Sequence, residues 1–130
     1  MICLTGDIHH MSMRTPDQRC LSGTEAQAAE EYVRIARSRG LKLTLFVTGR
    51  AAVEEADALR EIGRTPGVEI GGHGFRGRSP RWLYEVVFRR LLGRQNGPRF
   101  YQEREIRKTW VGLERLLGTP PRPWRKHASK

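Results

Sequence analysis

Cysteine is scarce: the 130 residues hold only Cys3 and Cys20, and no C-x-x-C pair. That excludes zinc-knuckle and thioredoxin-like chemistry. No apolar run approaches the roughly 20 residues needed to span a bilayer, so no membrane partner is expected. No basic segment precedes the strand-like run at Met1, so no signal peptide is read and a cytoplasmic product is expected. A disulfide is not expected in that compartment. Internal repeats and low-complexity tracts are also absent. The net charge is +10, yet the cations are spread along the chain and are mostly arginine. With no lysine block and no aromatic-basic signature, the charge is read as a solvated surface, and no nucleic acid is expected as partner.

What is present is the composition of one globular domain, 38% hydrophobic and 29% charged, long enough to bury a core. Strand and helix patterns alternate. Ile2 to Thr5 forms a short apolar strand candidate, in which Cys3 reads as a small core residue. A polar loop leads to a helix opened by Thr24 and Gln27 at capping-box spacing. Ala29, Tyr32, Val33, Ile35 and Ala36 lie mostly on one face of it, and Gly40 stands where a terminating glycine belongs. Leu41 to Gly49 is the strongest strand, apolar enough to be covered on both sides. Residues 51–63 read as a helix ended by Gly63, and residues 67–74 as a third strand. Ser79-Pro80 opens a further helix carrying Trp82, Val86, Val87, Leu91 and Leu92. Residues 93–99 break the chain. A last helix, about Gln102 to Leu117, has Ile106, Trp110, Leu113 and Leu117 as its apolar stripe and ends at Gly118.

This βαβαβ order with two further helices predicts an α/β fold with parallel strands. In such folds ligands gather at the carboxyl ends of the strands. Those ends carry Asp7, His9 and His10 after the first strand and His73 after the third. If these two strands are neighbours, their ends lie only about 5 Å apart. A carboxylate and imidazoles meeting there suit a divalent metal with an open position for water. His9 and His10 are adjacent, so in extended chain they point opposite ways and only one readily faces the site. Arg76 and Arg78 flank the site and suit an anionic substrate, though solvation explains them as well. Trp82 and Trp124 have faces that suit a sugar ring, though both read more simply as core. His127, near the chain end, reads as solvated.

These segments resemble, in order, the motifs of the polysaccharide deacetylase family, the NodB-homology domain. "LTGDIHH" is similar to its first motif, a strand ending in L-T-F-D-D. "LFVTGR" resembles its F-F-x-T-G strand and "VEIGGHGF" the E-I-G-x-H opening of its second motif. "LERLLGTPPRPWRKH" resembles the G-x-x-P-x-x-F-R stretch before its third. The resemblance spans nearly all of this chain but about half of a typical family domain. It implies a partial (β/α) barrel of this type and a single truncated domain over residues 1–130. It also implies a divalent metal, usually zinc, and removal of acetyl groups from an acetylated carbohydrate substrate. By position, Asp7 would be the catalytic base, His73 the first metal histidine, and Arg125 the arginine that supports the catalytic site. Ile8 stands where the family has a metal-binding acid and Gly77 where it has a second metal histidine. His9 and His10 are therefore the residues expected to rebuild a metal site with Asp7 and His73. The alternative is a pseudoenzyme module that binds carbohydrate without turning it over. The open edges of a partial barrel would call for a second copy or a partner to cover them.

Overall fold

The structure, a computed structural model, describes residues 3–76, 83–93 and 98–126. Three strands, β1 (Leu4–Ile8), β2 (Leu43–Val47) and β3 (Val68–Gly72), form a parallel sheet in the order β1-β2-β3. The helices are α1 (Glu25–Ser38), α2 (Ala51–Glu54), α3 (Ala56–Arg64) and α4 (Arg99–Leu117). Residues Leu83–Leu91 coil in a π-helical pattern. No helix among the described residues is long and apolar enough to cross a membrane. The α/β architecture with parallel strands is the one expected.

The register places Asp7, Phe46 and Gly71 in one row across the sheet, and Ile8, Val47 and Gly72 in the next. Side chains alternate along a strand, so adjacent rows face opposite sides. The Ile8, Leu45, Val47 and Ile70 side is closed by Ala29 and Val33 of α1, Leu59 and Ile62 of α3, and Leu113 and Leu116 of α4. This is the core. Leu45, Val47, Leu59 and Leu113 have no exposed surface at all.

Helix α1 starts as its sequence dictates. The Thr24 hydroxyl accepts from the Gln27 backbone N–H, and the Gln27 side chain returns a bond to the Thr24 backbone. Gly118 ends α4 in the left-handed region at φ 73°, where a Cβ would be strained.

Several expectations need correction. The first strand runs from Leu4 to Ile8, so Asp7 lies within it rather than beyond it. Cys3 precedes the pairing and is exposed, not core; Cys3 and Cys20 are both free thiols. The helix expected over 51–63 is two, because the chain breaks at Glu55 (φ −130°, ψ 40°), and Gly63 sits inside α3. Ile35 is exposed, and α4 buries Thr109, Leu113 and Leu116 while Ile106 and Trp110 remain exposed. Gly49 explains the last shift. A Cβ there would come within 2.8 Å of the Thr109 backbone, so α4 crosses the sheet end along Thr109. Val86, Leu91 and Leu92, expected as a packed stripe, are exposed. Gly77, Arg78, Ser79-Pro80, Trp82 and His127 lie outside the described residues.

Candidate active site

The first and third strands are not neighbours. β2 stands between them, which puts their backbones about 10 Å apart, two strand spacings. The side chains close the gap. Asp7 and His73 lie on the same side of the sheet, the one opposite the core. Asp7 Oδ2 is 3.9 Å from His73 Nε2. Gly71, in the same row as Asp7 on β3, supplies no side chain. A Cβ there would meet the Pro123 carbonyl oxygen at 2.6 Å, so the close approach of that segment requires glycine.

The segment around Trp124 runs beside β3 and brings in Arg125. Gly72 N–H donates to the Pro123 carbonyl and Arg125 N–H donates to the Gly72 carbonyl, each at 3.0 Å. Trp124 turns to the core side, where its indole would collide with any Cβ on Gly72 and stacks on Trp110 at 6.5 Å. Arg125 turns to the other side. Its Nη1 donates to Asp7 Oδ1 at 2.9 Å and its Nη2 to the Thr5 hydroxyl at 2.6 Å. The guanidinium lies over the Phe46 ring, 4.3 Å from its centroid, so the same cation is held by a carboxylate, a hydroxyl and an aromatic face.

His73 is buried, with 3% of its side chain exposed. Its Nδ1 lies 2.9 Å from the Arg125 carbonyl oxygen. A carbonyl only accepts, so the ring carries its proton on Nδ1 and turns the Nε2 lone pair towards Asp7. Burial, the largest influence, keeps His73 below its ordinary pKa although the Arg125 carbonyl and the Asp7 charge pull it up. A neutral imidazole nitrogen facing a carboxylate oxygen favours a cation or a shared proton between them.

The two adjacent histidines part company. The His9 ring lies against His73, with centroids 5.4 Å apart in an edge-to-face arrangement. Its Nδ1 is 3.1 Å from Glu25 Oε2, and its backbone N–H donates to the same oxygen at 2.6 Å. His10 turns towards the core side. It is buried, and its Nδ1 lies 3.3 Å from the Thr48 hydroxyl. Burial, the largest influence, holds its pKa below the ordinary value against the pull of Glu54. The structure thus brings Asp7, His9, His73 and Arg125 together and leaves His10 apart.

The expected metal is only partly matched. Asp7 and His73 offer an oxygen and a nitrogen of the types zinc takes. Among the described residues no three His, Cys, Asp or Glu side chains gather closely enough to hold an ion. Ile8, where the motif resemblance would place a metal-binding acid, is buried in the core at 1% exposure. Arg76 is exposed, and its backbone N–H donates to Glu105.

Thr5 and Phe46, which lie within the quoted motif segments without an assigned role, and Glu25 and Gln18, which carry no motif, also belong to this site. Glu25 Oε1 accepts from Gln18 Nε2 at 2.7 Å. Burial, the largest influence on Glu25, raises its pKa, but the bonds from His9 and Gln18 bring it below the ordinary value. Glu25 was legible only as a first-turn acid of α1.

No protein-family model and no curated protein sequence matches this chain. Solved structures do. A CE4 esterase from Streptococcus mutans aligns over 97% of this chain and 44% of its own length, at 15% identity and a TM-score of 0.66. A Mycobacterium smegmatis protein provisionally assigned as a polysaccharide deacetylase aligns over 95% and 42%, at 22% identity and a TM-score of 0.65. A CE4 family pseudoenzyme from Bacillus anthracis aligns over 95% and 34%, at 13% identity and a TM-score of 0.61. The chain therefore has the fold of this part of the CE4 structures, and it spans less than half of their length.

Proposed function

We propose that the Asp7, His73 and Arg125 face is the site of a deacetylase-type hydrolase that removes acetyl groups from carbohydrate. The observation that carries this reading is the convergence of these three side chains, drawn from β1, the end of β3 and the segment after α4. In this reading Asp7 accepts the proton of the attacking water. Arg125 holds the carboxylate by one oxygen, Oδ1, which leaves Oδ2 on the His73 side. Phe46 and Thr5 fix the guanidinium, so the base is oriented before substrate arrives. A divalent ion, zinc by its ligand types, would take His73 Nε2 among its donors. Among the described residues no third donor is gathered to complete its shell. The family resemblance and the fold of the CE4 structures support the acetyl-carbohydrate substrate class.

One observation favours a second reading. With Ile8 in the core and no three-donor cluster among the described residues, the chain would bind acetylated carbohydrate without turnover. A single experiment separates the two. Acetylated chito-oligosaccharide is incubated with the protein and added zinc or cobalt, and both acetate release and sugar binding are measured. Release that Asp7→Asn abolishes supports the hydrolase; binding with no acetate released, by wild type and Asp7→Asn alike, supports the module. Neither release nor binding would end both readings.

A further inference from the structure

Glu25 is the first residue of α1, and its carboxylate reaches back across the polar loop to the end of β1. One oxygen, Oε2, takes both the backbone N–H and the ring Nδ1 of His9. The other, Oε1, takes Gln18 Nε2. Gln18 is itself immobilised. It is buried at 6% exposure. Its Nε2 also donates to the His10 carbonyl at 3.2 Å, its Oε1 accepts from Thr15 N–H at 2.9 Å, and its own N–H donates to the Thr15 hydroxyl. The acid also sits in the first turn of a helix, where a negative charge is favoured. A carboxylate gripped on both oxygens cannot swing away from the histidine.

We propose that Glu25, clamped by Gln18, is a positioning residue that fixes the His9 imidazole with its proton on Nδ1 and its ring against His73. This rests on the reading of the Asp7 and His73 face as the functional site. An ionised carboxylate can only accept, so Nδ1 of His9 must donate to it, and the lone pair of the neutral ring moves to Nε2. The same division holds at His73, whose Nδ1 donates to the Arg125 carbonyl. Both rings on this face are thereby set in one tautomer by acceptors on other elements. Imidazoles held this way are the form in which histidine meets a cation or a substrate polar group, because the remote hydrogen bond fixes ring orientation. The competing view makes Glu25 a staple that ties β1 to α1 and is indifferent to the ring's tautomer.

The tautomer itself decides between them. The full chain with nitrogen-15 histidine is studied by long-range proton–nitrogen correlation at about pH 8, where unperturbed histidine is neutral. In the wild type the His9 signals should show protonated Nδ1 and bare Nε2. Glu25→Ala should move His9 towards the opposite tautomer, with the His73 pattern unchanged. Gln18→Ala should give a smaller shift in the same direction. If Glu25→Ala does not fold, Glu25→Gln, which keeps an acceptor for the backbone N–H, should give a mixture. A wild-type His9 protonated on Nε2, or a pattern that Glu25 variants leave unmoved, overturns the proposal.

Discussion

Neighbouring residues at the end of β1 meet opposite fates on the two sides of one sheet. Ile8 is buried under the helices, while Asp7, one step before it, keeps a third of its side chain exposed and pairs with Arg125. Two residues on, His9 faces His73 and His10 faces Thr48. The helix side is built from aliphatic residues of low exposure. The other side carries a carboxylate, two imidazoles and a guanidinium over a single phenyl ring. Period-two alternation therefore sorts stability from chemistry residue by residue. A substitution's effect should depend on its parity along the strand more than on its distance from the site.

The comparison is easiest to break from the core side. Leu45→Ala removes a side chain with no exposed surface and should cost about 2–5 kcal/mol in denaturant unfolding, whereas a loss within about 0.5 kcal/mol would mean that this face is not the core. Next in size is the contrast between adjacent histidines. In nitrogen-15 spectra Glu25→Ala should shift the His9 ring signals and leave those of His10, whose ring lies against Thr48, unchanged; equal shifts would erase the distinction between the faces. Gly72→Ala puts a methyl within 2.8 Å of three indole carbons of Trp124. It should cost about 1–3 kcal/mol as overpacking and alter tryptophan fluorescence as Trp124 is displaced.

A pH titration sharpens the comparison further, because each face holds a histidine whose folded-state pKa is depressed by burial. The unfolded chain then takes up protons first as pH falls. Stability from these groups is complete above about pH 6.5 and declines below it. The depressed Glu25 and Glu54 add losses only at lower pH, below their ordinary value of 4.5. The urea midpoint should therefore drop between about pH 7 and 5, and His10→Asn should reduce that slope. A flat profile would show that both rings charge freely in the folded state. The smallest effect is expected at Arg125. Its ion pair is more than a third exposed on the arginine side, so Arg125→Ala should cost no more than about 1 kcal/mol in stability while removing acetate release, if the wild type shows any. A large stability loss without a functional one would reverse its assignment.

The parts of this arrangement that were legible in the sequence are those with local causes. Three apolar runs between helical patterns gave the strands, and Thr24 with Gln27 gave the start of α1. Reading Asp7 and His73 near the carboxyl ends of their strands picked out two side chains that approach each other. What escaped depends on contacts across the chain. Asp7 belongs to β1 because a polar residue is admitted on the site-facing side, which an apolar-run criterion cuts off at Thr5. The buried row of α4 follows from its close crossing at Gly49, and periodicity alone favoured Ile106 and Trp110. Glu25 and Gln18 have no motif, since their partners lie 16 and 7 residues away. β1 and β3 are separated by β2, yet side-chain reach joins their ends.

Arg125 serves two clients through two different parts of itself. Its main-chain oxygen sets the His73 ring, and its side chain governs Asp7. Mutation can reach only the second of these. Replacing the side chain should release the Asp7 carboxylate while the imidazole keeps its orientation, so Arg125→Ala would uncouple the two contacts without dismantling the His73 one.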